Sequence, residues 1–505
     1  MKYNILSYLE TAAERWPEKK AVTDEKKSYT YGMLWQISRR IGTALAKERF
    51  RRKPVAVMME KGADTLCAFL GIVWSGNCYS LLNPELPEKR LRQLQAVLEA
   101  PLVITDAAHR EAAGRVFPEN CIRLVEDLMG RNEDGALLEQ RSSAIIDTDP
   151  LYVNFTSGSA GIPKGVAVGH RSVMDFTEAF TETFQIRSRD IIGNQAPFDF
   201  DVSVKDIYSA LRTGASLVII PKRLFSHPAL LLDYICRQRI TVLVWAVSAL
   251  CLISALHGLD YLAPHSVRAV LFSGEVMPRK HLAAWMEKLP EARFVNLYGP
   301  TEITCNCTWH EVERGRNYEE GLPLGRPFPN ERVFLLDEKN HEVTETGAVG
   351  EICVAGTALA LGYYNEPEQT ARAFVQNPLQ DSYPERIYRT GDLGRYGPDG
   401  ELFFCGRKDF QIKYMGHRIE LEEIERAMDR LPGVERGCCV YDADRQKIRG
   451  FYTGRAEKKD VRAGLRKRLP AYMIPGELNR LDGLPVSRNG KLDRRELAKT
   501  GGGTL

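Results

Sequence analysis

The sequence predicts an α/β protein with a large N-terminal domain of parallel or mixed sheets covered by helices, followed by a small α+β domain. Two observations support this prediction. Over most of the 505 residues, short apolar runs of strand length alternate with amphipathic helical stretches. This pattern favours parallel sheets that are covered on both faces. From Tyr396 onward, the chain changes to short strands, tight turns and strongly amphipathic helices.

The elements of the N-terminal part follow from local patterns. Apolar residues after Pro87 recur at helical spacing and predict a helix with Leu91, Leu94, Val97 and Leu98 on its inner face. Buried strands are predicted where apolar runs end at a Pro, a Gly or a polar loop, namely at Leu151–Asn154, Ser216–Ile220 and Ala269–Phe272.

The C-terminal part has its own pattern. Tyr396–Gly400 predicts a tight turn between two short strands, and two further strands are expected at Gly437–Tyr441 and Ile448–Thr453. Two amphipathic helices are predicted, with inner faces of Leu421, Ile424, Met428 and Leu431 in one and Val461, Leu465 and Leu469 in the other. We therefore expect domains 1–408 and 409–505. The first exceeds the size of one ordinary core and should contain two or three subdomains.

Composition and charge exclude several functional classes. Lys and Arg number 69 against 66 Asp and Glu, so the net charge of +3 gives no electrostatic signature for nucleic acid or anionic membranes. The longest apolar run, Val242–Leu256, is too short to span a bilayer, and the N-terminus lacks the pattern of a secretory signal. Eleven scattered cysteines without a CxxC pair indicate reduced thiols in a cytoplasmic protein.

The Gly- and Ser-rich stretch Phe155–Gly165 is, on its residues alone, either a flexible surface turn or a phosphate-binding loop. Its glycines allow backbone N–H groups to approach an anion, and its hydroxyls and lysine add donors and positive charge. It is not a Walker A loop, because Lys164 is followed by Gly165. If the family motifs described next identify it as a nucleotide-binding loop, its candidate contacts are Thr156, Ser157, Gly158, Ser159, Gly161 and Lys164.

Further motifs follow this loop in a fixed order: Phe200–Tyr208, Asn296–Glu302, Gly350–Gly356, Tyr388–Leu393, Gly406–Lys413, Gly416–Glu420, Leu469–Pro475 and Pro485–Lys491. With them the whole chain resembles the adenylate-forming (ANL) superfamily, specifically the stand-alone amino-acid adenylation domains of nonribosomal peptide synthesis. The D-alanine–carrier protein ligases are similar as well. The resemblance implies the ANL fold, with an additional small β subdomain in the N-terminal part and a mobile C-terminal domain.

The resemblance also implies a ligase reaction in two halves. A carboxylate attacks the α-phosphate of Mg²⁺-bound ATP, and a thiol then attacks the aminoacyl adenylate and releases AMP. The thiol would be the phosphopantetheine of a separate carrier protein, because no attachment motif is found in this sequence.

By motif match, Lys491 is the catalytic cation, and Asp409 is the hinge about which the C-terminal domain swings. Tyr298 with Gly299 would contact adenine, Thr301 phosphate, and Glu302 Mg²⁺. Asp392 would accept the ribose hydroxyls, and Arg407 would lie near the nucleotide.

Asp201 is the residue expected to pair with the α-ammonium of an amino acid, although Asp199 fits a reading of the motif two residues earlier. The family's specificity positions fall on Asp201, Val202, Lys205, Trp245, Leu271, Ser273, Leu297, Cys305, Asn306 and Lys491, with Gly274 beside them. Trp245 should shorten the pocket. Lys205 either reaches solvent or points inward, where it would make a short acidic side chain competitive with the other candidates. The expected substrate is a small polar amino acid, with serine first and alanine of either hand, cysteine and aspartate behind it.

Three alternatives stay open at this point. The chain could be a D-alanine–carrier protein ligase for teichoic acid, or an acyl- or aryl-CoA ligase, although Asp201 argues against the latter. It could also be a degenerate nucleotide-binding homologue. Ala160 stands where the family usually has Thr, and the lost hydrogen bond to phosphate would cost about 1.5–3 kcal/mol.

Overall fold

The computed structural model describes residues 4–48, 50–158, 162–442, 445–485 and 494–499. Seventeen α-helices lie within these ranges: α1 (Leu6–Arg15), α2 (Tyr31–Ala46), α3 (Ala63–Trp74), α4 (Glu88–Leu98), α5 (Arg110–Gly114), α6 (Val125–Met129), α7 (Gly135–Ser142), α8 (His170–Thr183), α9 (Val202–Thr213), α10 (Pro228–Arg237), α11 (Val247–Ala255), α12 (Gly258–Tyr261), α13 (Arg279–Lys288), α14 (Pro367–Ala373), α15 (Leu421–Asp429), α16 (Lys458–Arg466) and α17 (Arg494–Lys499).

The same ranges contain twenty-six strands: β1 (Lys20–Thr23), β2 (Ser28–Thr30), β3 (Pro54–Met58), β4 (Cys78–Leu81), β5 (Val103–Thr105), β6 (Ile122–Leu124), β7 (Pro150–Thr156), β8 (Lys164–Gly169), β9 (Ile191–Asn194), β10 (Ser216–Ile219), β11 (Val242–Ala246), β12 (Ala269–Ser273), β13 (Arg293–Tyr298), β14 (Thr308–Glu311), β15 (Arg326–Pro327), β16 (Glu331–Leu336), β17 (Val349–Gly356), β18 (Gly362–Tyr363), β19 (Phe374–Gln376), β20 (Arg386–Tyr396), β21 (Leu402–Arg407), β22 (Gln411–Tyr414), β23 (His417–Glu420), β24 (Val434–Asp442), β25 (Lys447–Gly454) and β26 (Glu477–Arg480).

Two large sheets dominate the N-terminal part. The first sheet has nine strands in the order β15-β14-β13-β12-β11-β9-β10-β1-β2, and its pairs from β13 through β1 are parallel. The second has seven strands in the order β18-β8-β7-β4-β3-β5-β6. One continuous core contains residues of both sheets and of α1, α2, α3, α8 and α9. A second core, with residues of α10, α11 and α13, covers the other face of the first sheet.

A third, five-stranded sheet forms the small β subdomain. Its strands β16, β17, β20, β19 and β21 pair only in antiparallel fashion. Strand β20 has 11 residues, longer than the short strand expected before the turn at Gly400, where φ is 73°. This subdomain and the two large sheets confirm the predicted α/β fold of the N-terminal part.

Chain contacts divide the protein into two compact units. The first comprises 1–84, 98–155 and 165–408, and the second comprises 85–97, 156–164 and 409–505. The second unit contains the hairpin β22–β23 and the sheet β24-β25-β26, with Ile424, Met428, Val461 and Leu465 buried in one core. The predicted C-terminal helices and strands are therefore present, but Leu431 and Leu469, although buried, lie beyond the ends of α15 and α16. Two segments that the sequence assigned to the N-terminal domain, 85–97 and 156–164, fall in the second unit, where Arg90 pairs with Glu423 at 2.6 Å.

The apolar run Val242–Leu256 is split between two elements, since β11 ends at Ala246 and α11 begins at Val247. Among the helices of the described ranges, the longest is α2 with 16 residues, and none is both long and apolar enough to cross a bilayer. All eleven cysteines lie in described ranges and are free thiols.

Candidate active site

The carboxyl ends of parallel strands β11, β12 and β13 lie side by side, which is where α/β sheets bind ligands. In-register neighbours share a face of a sheet, and the register aligns Val244 with Leu271 and Ser273 with Leu297. Val244, Leu271 and Leu297 belong to the same core as α9. We call this side of the first sheet, with Val244, Leu271, Ser273 and Leu297, the pocket face.

Trp245 does not lie on the pocket face, so its assignment to the side-chain pocket is wrong. Successive residues of a strand point to opposite faces, and Trp245 is buried in the second core with its Nε1 donating to the Gly193 carbonyl at 2.8 Å. Its ring packs edge-on against Phe225. Val244, one residue earlier, pairs with Leu271 and lies on the pocket face.

Lys205 points into the protein rather than to solvent. Its side chain lies on α9, and the residue is only 1% exposed. Its Nζ donates to Asn306 Oδ1 at 2.7 Å and to Ser273 Oγ at 3.3 Å. Burial lowers the pKa of Lys205, against the opposing effect of acidic groups nearby. The structure therefore brings three predicted specificity residues together. Val202 begins α9, and Gly274, with φ of 99°, follows the end of β12.

A tight turn after β13 carries Cys305 and Asn306 back toward α9. Thr304 and Cys305 both have positive φ, at 50° and 80°, a conformation that side chains other than glycine rarely adopt. Thr304 Oγ1 donates to the Ala358 carbonyl at 2.6 Å, and Cys305 Sγ contacts the Asp201 carbonyl at 3.0 Å. A Cβ on Gly299 would lie 2.4 Å from the Asn306 Cα, so only glycine allows this close return of the chain.

Asp201 precedes the first turn of α9, but its side chain accepts no capping hydrogen bond from the helix. The simplest structural explanation of this residue, a helix cap, therefore fails. Burial raises the pKa of Cys305, and the Asp201 charge adds to this effect, whereas the Asp199 charge acts on Lys61 instead. The charge of Asp201 therefore acts on a residue of the pocket, Cys305, and that of Asp199 acts on Lys61 outside it.

Asp392 is the centre of a buried polar cluster in the first unit. The Tyr298 hydroxyl donates to Asp392 Oδ2 at 2.6 Å, and Arg407 pairs with Asp392 Oδ1. Asp392 faces Arg407 across β20 and β21. Burial and the Asp392 charge raise the pKa of Tyr298, so its hydroxyl stays a donor. The structure thus brings together three residues that the sequence assigned separately to adenine, ribose and the nucleotide's surroundings.

Thr301 and Glu302 lie on a short 3-10 helix, Thr301–Ile303, directly after Gly299 and Pro300. Glu302 is 1% exposed, and one of its carboxylate oxygens accepts the Tyr363 hydroxyl at 2.7 Å. No cluster of three or more His, Cys, Asp or Glu suited to a metal occurs in the part of the chain that the structure describes. One carboxylate fits Mg²⁺, since this ion usually takes one or two carboxylates and completes its shell with substrate phosphates and water.

The predicted phosphate loop joins β7 to β8 and falls in the second unit. Thr156 ends β7, Ser157 donates to the Arg418 carbonyl at 2.7 Å, and Lys164 begins β8. A Cβ on Gly158 would lie 1.9 Å from the Ile162 carbonyl oxygen, so this position accepts no side chain. Ser159, Ala160 and Gly161 lie outside the described residues, as does Lys491. Asp409 is exposed, and its carboxylate accepts the Gln411 N–H at 3.2 Å.

Sequence reasoning missed several polar residues around this site. One of them is Tyr363, whose hydroxyl donates to Glu302. The residues around Tyr363 form no sequence motif that predicts this contact. Lys61 donates to Asn194 Oδ1 at 3.1 Å, and Asn194 donates to Asp206 Oδ2 at 2.7 Å, forming a buried chain behind α9. Burial lowers the pKa of Lys61 to about 7 and raises that of Asp206. Lys205 and Asp206 are adjacent and opposite in charge on a buried helix. This pair was the sequence feature that could have indicated a buried polar group here.

The fold and this site define a nucleotide-binding α/β enzyme with a second, smaller unit. The family model described as AMP-binding enzyme matches residues 9–364, and the model of its C-terminal domain matches residues 423–491. The chain therefore belongs to the AMP-binding enzyme family, which confirms the membership predicted from the ordered motifs.

The curated relatives of this chain include surfactin and tyrocidine synthases. The chain is 31% identical to surfactin synthase subunit 3 of Bacillus subtilis, over 96% of its own length and 38% of that protein. It is 30% identical to tyrocidine synthase 1 of Brevibacillus parabrevis, over 98% of its own length and 45% of that protein. The chain thus spans less than half of each of these relatives.

Solved structures share the fold over nearly the whole chain. Holo-PA1221, an NRPS protein containing adenylation and PCP domains, superposes with a TM-score of 0.84 at 25% identity, covering 98% of this chain and 84% of that one. IdnL1 superposes with a TM-score of 0.83 at 28% identity, covering 96% of this chain and 98% of that one. This likeness agrees with the nonribosomal peptide type of adenylating fold.

Proposed function

We propose that this protein activates an amino acid with ATP and transfers it to the phosphopantetheine thiol of a separate carrier protein. The observation that carries the proposal is the position of Asp201 beside the pocket face, at the start of α9 but without a capping role. A carboxylate in this position pairs with an α-ammonium. Acyl and aryl substrates of CoA ligases have no such group, so Asp201 favours amino acids over them.

In the first half-reaction, a carboxylate oxygen of the amino acid forms a bond to the α-phosphorus of ATP, and pyrophosphate leaves. In the second, the carrier thiol loses its proton and attacks the carbonyl carbon, and AMP leaves. The transition state of the first half-reaction, at the α-phosphorus, is stabilised mainly by positioning and by positive charge. Lys491 is proposed to supply that charge to the substrate carboxylate and the nucleotide, because a compact ammonium on a long stem suits a mobile cation.

The residues grouped in the first unit are proposed to hold the nucleotide. The loop from Thr156 to Lys164 is proposed, as a separate matter, to bind phosphate. Asp392 is proposed to accept the ribose hydroxyls through the lone pairs left beside Tyr298 and Arg407. Tyr298 would lie against adenine and Thr301 against phosphate. Glu302 would hold Mg²⁺, which neutralises phosphate charge when it is bound.

We propose that 1–408 is the adenylation core and that 409–505 moves as a domain carrying Lys491, with Asp409 as its hinge. The division of chain contacts between Lys408 and Asp409 supports this. A cytoplasmic location is proposed as well, and the eleven free thiols support it.

The test is amino-acid-dependent exchange of pyrophosphate into ATP, measured with each amino acid in turn. Lys491→Ala should nearly abolish exchange. Asp201→Asn should lower kcat/KM for the amino acid while leaving the KM for ATP unchanged, and Asp199→Asn is its matched control. Thioester formation on a holo carrier but not on CoA completes the test. Absence of exchange with every amino acid would contradict the proposal and favour a nucleotide-binding homologue without turnover.

A further inference from the structure

Lys205 and Asp201 are four residues apart on α9, so their side chains lie on one face of the helix, about 6 Å apart along its axis. Asp201 is proposed above to bind the α-ammonium of the substrate. A side chain that extends from that amino acid along α9 therefore approaches Lys205 one helical turn deeper. The walls on this path include the apolar Val244, Leu271 and Leu297 of the pocket face.

The Lys205 ammonium has only neutral partners in the described part of the chain. Its Nζ donates to Asn306 Oδ1 and Ser273 Oγ, and no described carboxylate oxygen lies within ion-pair distance of it. Asp206, the next residue, forms no ion pair with Lys205. Its Oδ2 accepts from Asn194, and its Oδ1 has no hydrogen-bond partner among the described residues, so its charge acts on Lys205 only through space. An ammonium has three donors, and a buried charge is normally paired with an opposite one because desolvation is costly.

The other polar residues near Lys205 do not supply the opposite charge that its ammonium lacks. The oxygens of Ser273 and Asn306 accept hydrogen bonds from Lys205. Because these two side chains are oriented by the lysine, they do not select a substrate independently of it. A serine side chain would add a third neutral oxygen and leave the charge unpaired. A leucine or phenylalanine side chain would add none. A carboxylate would supply the missing opposite charge.

We propose, resting on the function above, that the substrate is an acidic amino acid whose side-chain carboxylate pairs with Lys205. Asp201 would bind its α-ammonium. The substrate's own side chain then completes the buried site. This places aspartate and glutamate ahead of serine, reversing the order expected from sequence alone.

The first test is the exchange assay on the wild-type protein with aspartate, glutamate, asparagine, glutamine, serine and D-alanine. We expect aspartate or glutamate to exceed its own amide by at least about 100-fold in kcat/KM. This is below the roughly 10⁴–10⁵-fold rejection of substrates that lack the bonded polar group altogether, because an amide still offers Lys205 a neutral oxygen. Fastest exchange with serine, alanine or an amide would overturn the inference while sustaining amino-acid activation. No exchange with any amino acid would instead overturn the proposed function.

The second test uses Lys205→Met, which keeps the length of the side chain and removes its charge. The preference for an acid over its amide should fall at least 100-fold, and Lys205→Arg should restore part of it. Lys61→Met is the matched control, since Lys61 is a buried lysine that bonds to Asn194 and Gln195 instead. An unchanged acid-to-amide ratio in Lys205→Met would overturn the inference. If that variant does not fold, the wild-type ratios and Lys205→Arg decide.

The acid-to-amide ratio should also depend on pH. It should fall as pH rises and Lys205 loses its proton, and it should do so in the wild type and not in Lys205→Met. A ratio independent of pH up to pH 10.5, the ordinary pKa of lysine, would count against the ion pair.

Discussion

Replacing Arg407 with Met tests whether the cluster around Asp392 stabilises the fold in addition to its proposed role in binding the nucleotide. The Arg407 side chain is 11% exposed and that of Asp392 is 2% exposed. Met keeps most of the aliphatic stem and removes the cation. Breaking a buried ion pair at one partner typically costs about 3–5 kcal/mol because it leaves an uncompensated charge. The Tyr298 hydroxyl still donates to Asp392, so we expect about 3 kcal/mol, near the lower bound.

The matched control is Arg171→Met, which breaks the pair with Asp147, where the two side chains are 53% and 33% exposed. An exposed pair of this kind contributes about 0–1 kcal/mol. Urea unfolding of each variant gives the loss of stability, and exchange kinetics give the KM for ATP. Arg407→Met should also raise that KM about tenfold, equal to 1.4 kcal/mol, without changing the KM for the amino acid. Equal unfolding midpoints for the two variants, with an unchanged KM for ATP, would refute the reasoning.

Three further predictions concern the pocket, the hinge and pH. Val244→Phe should shorten the pocket and raise the amino-acid KM, whereas Trp245→Phe should lower stability with little change of KM; the reverse result would return Trp245 to the pocket. Asp409→Pro should spare one half-reaction and impair the other, because Pro fixes φ near about −65°; equal loss of both would indicate misfolding. Burial lowers the pKa of His170 to about 3, so the unfolded chain binds more protons below about pH 6.5. Stability should therefore fall between that pH and 3 by up to about 1.4 kcal/mol per unit, and His170→Asn should remove this part of the slope in urea titrations.

Much of the fold could be predicted from sequence because burial patterns repeat with the period of each element. Leu421, Ile424 and Met428 recur at helical spacing and do lie on the buried face of α15. The run from Val242 to Leu256 was harder, since a buried strand followed by a buried helix has no polar residue to mark the join. Only the change of backbone at Ala246 separates them.

The candidate site shows a different limit. A slip of one residue in a strand exchanges its two faces, and the sequence match alone could not choose between Val244 and Trp245. The sheet register made that choice. Lys205 was ambiguous for another reason. A lysine near the start of a helix can reach solvent or turn inward, and the decision depends on Ser273 and Asn306, which are 68 and 101 residues away in sequence.

The left-handed turn at Thr304 and Cys305 limits how the specificity of this protein can change. A β-branched residue at 305 would be strained at φ of 80° whatever its fit to a substrate. Asparagine or glycine would tolerate that backbone. Asn306 belongs to the same turn, and its backbone lies directly against Gly299. Replacing residues 305 and 306 with a pair from another protein would therefore change the backbone of the turn as well as the side chains that contact the substrate. Variation at Lys205, Val244 and Ser273, on regular helix and strand, offers the route by which new substrates could arise without that backbone strain.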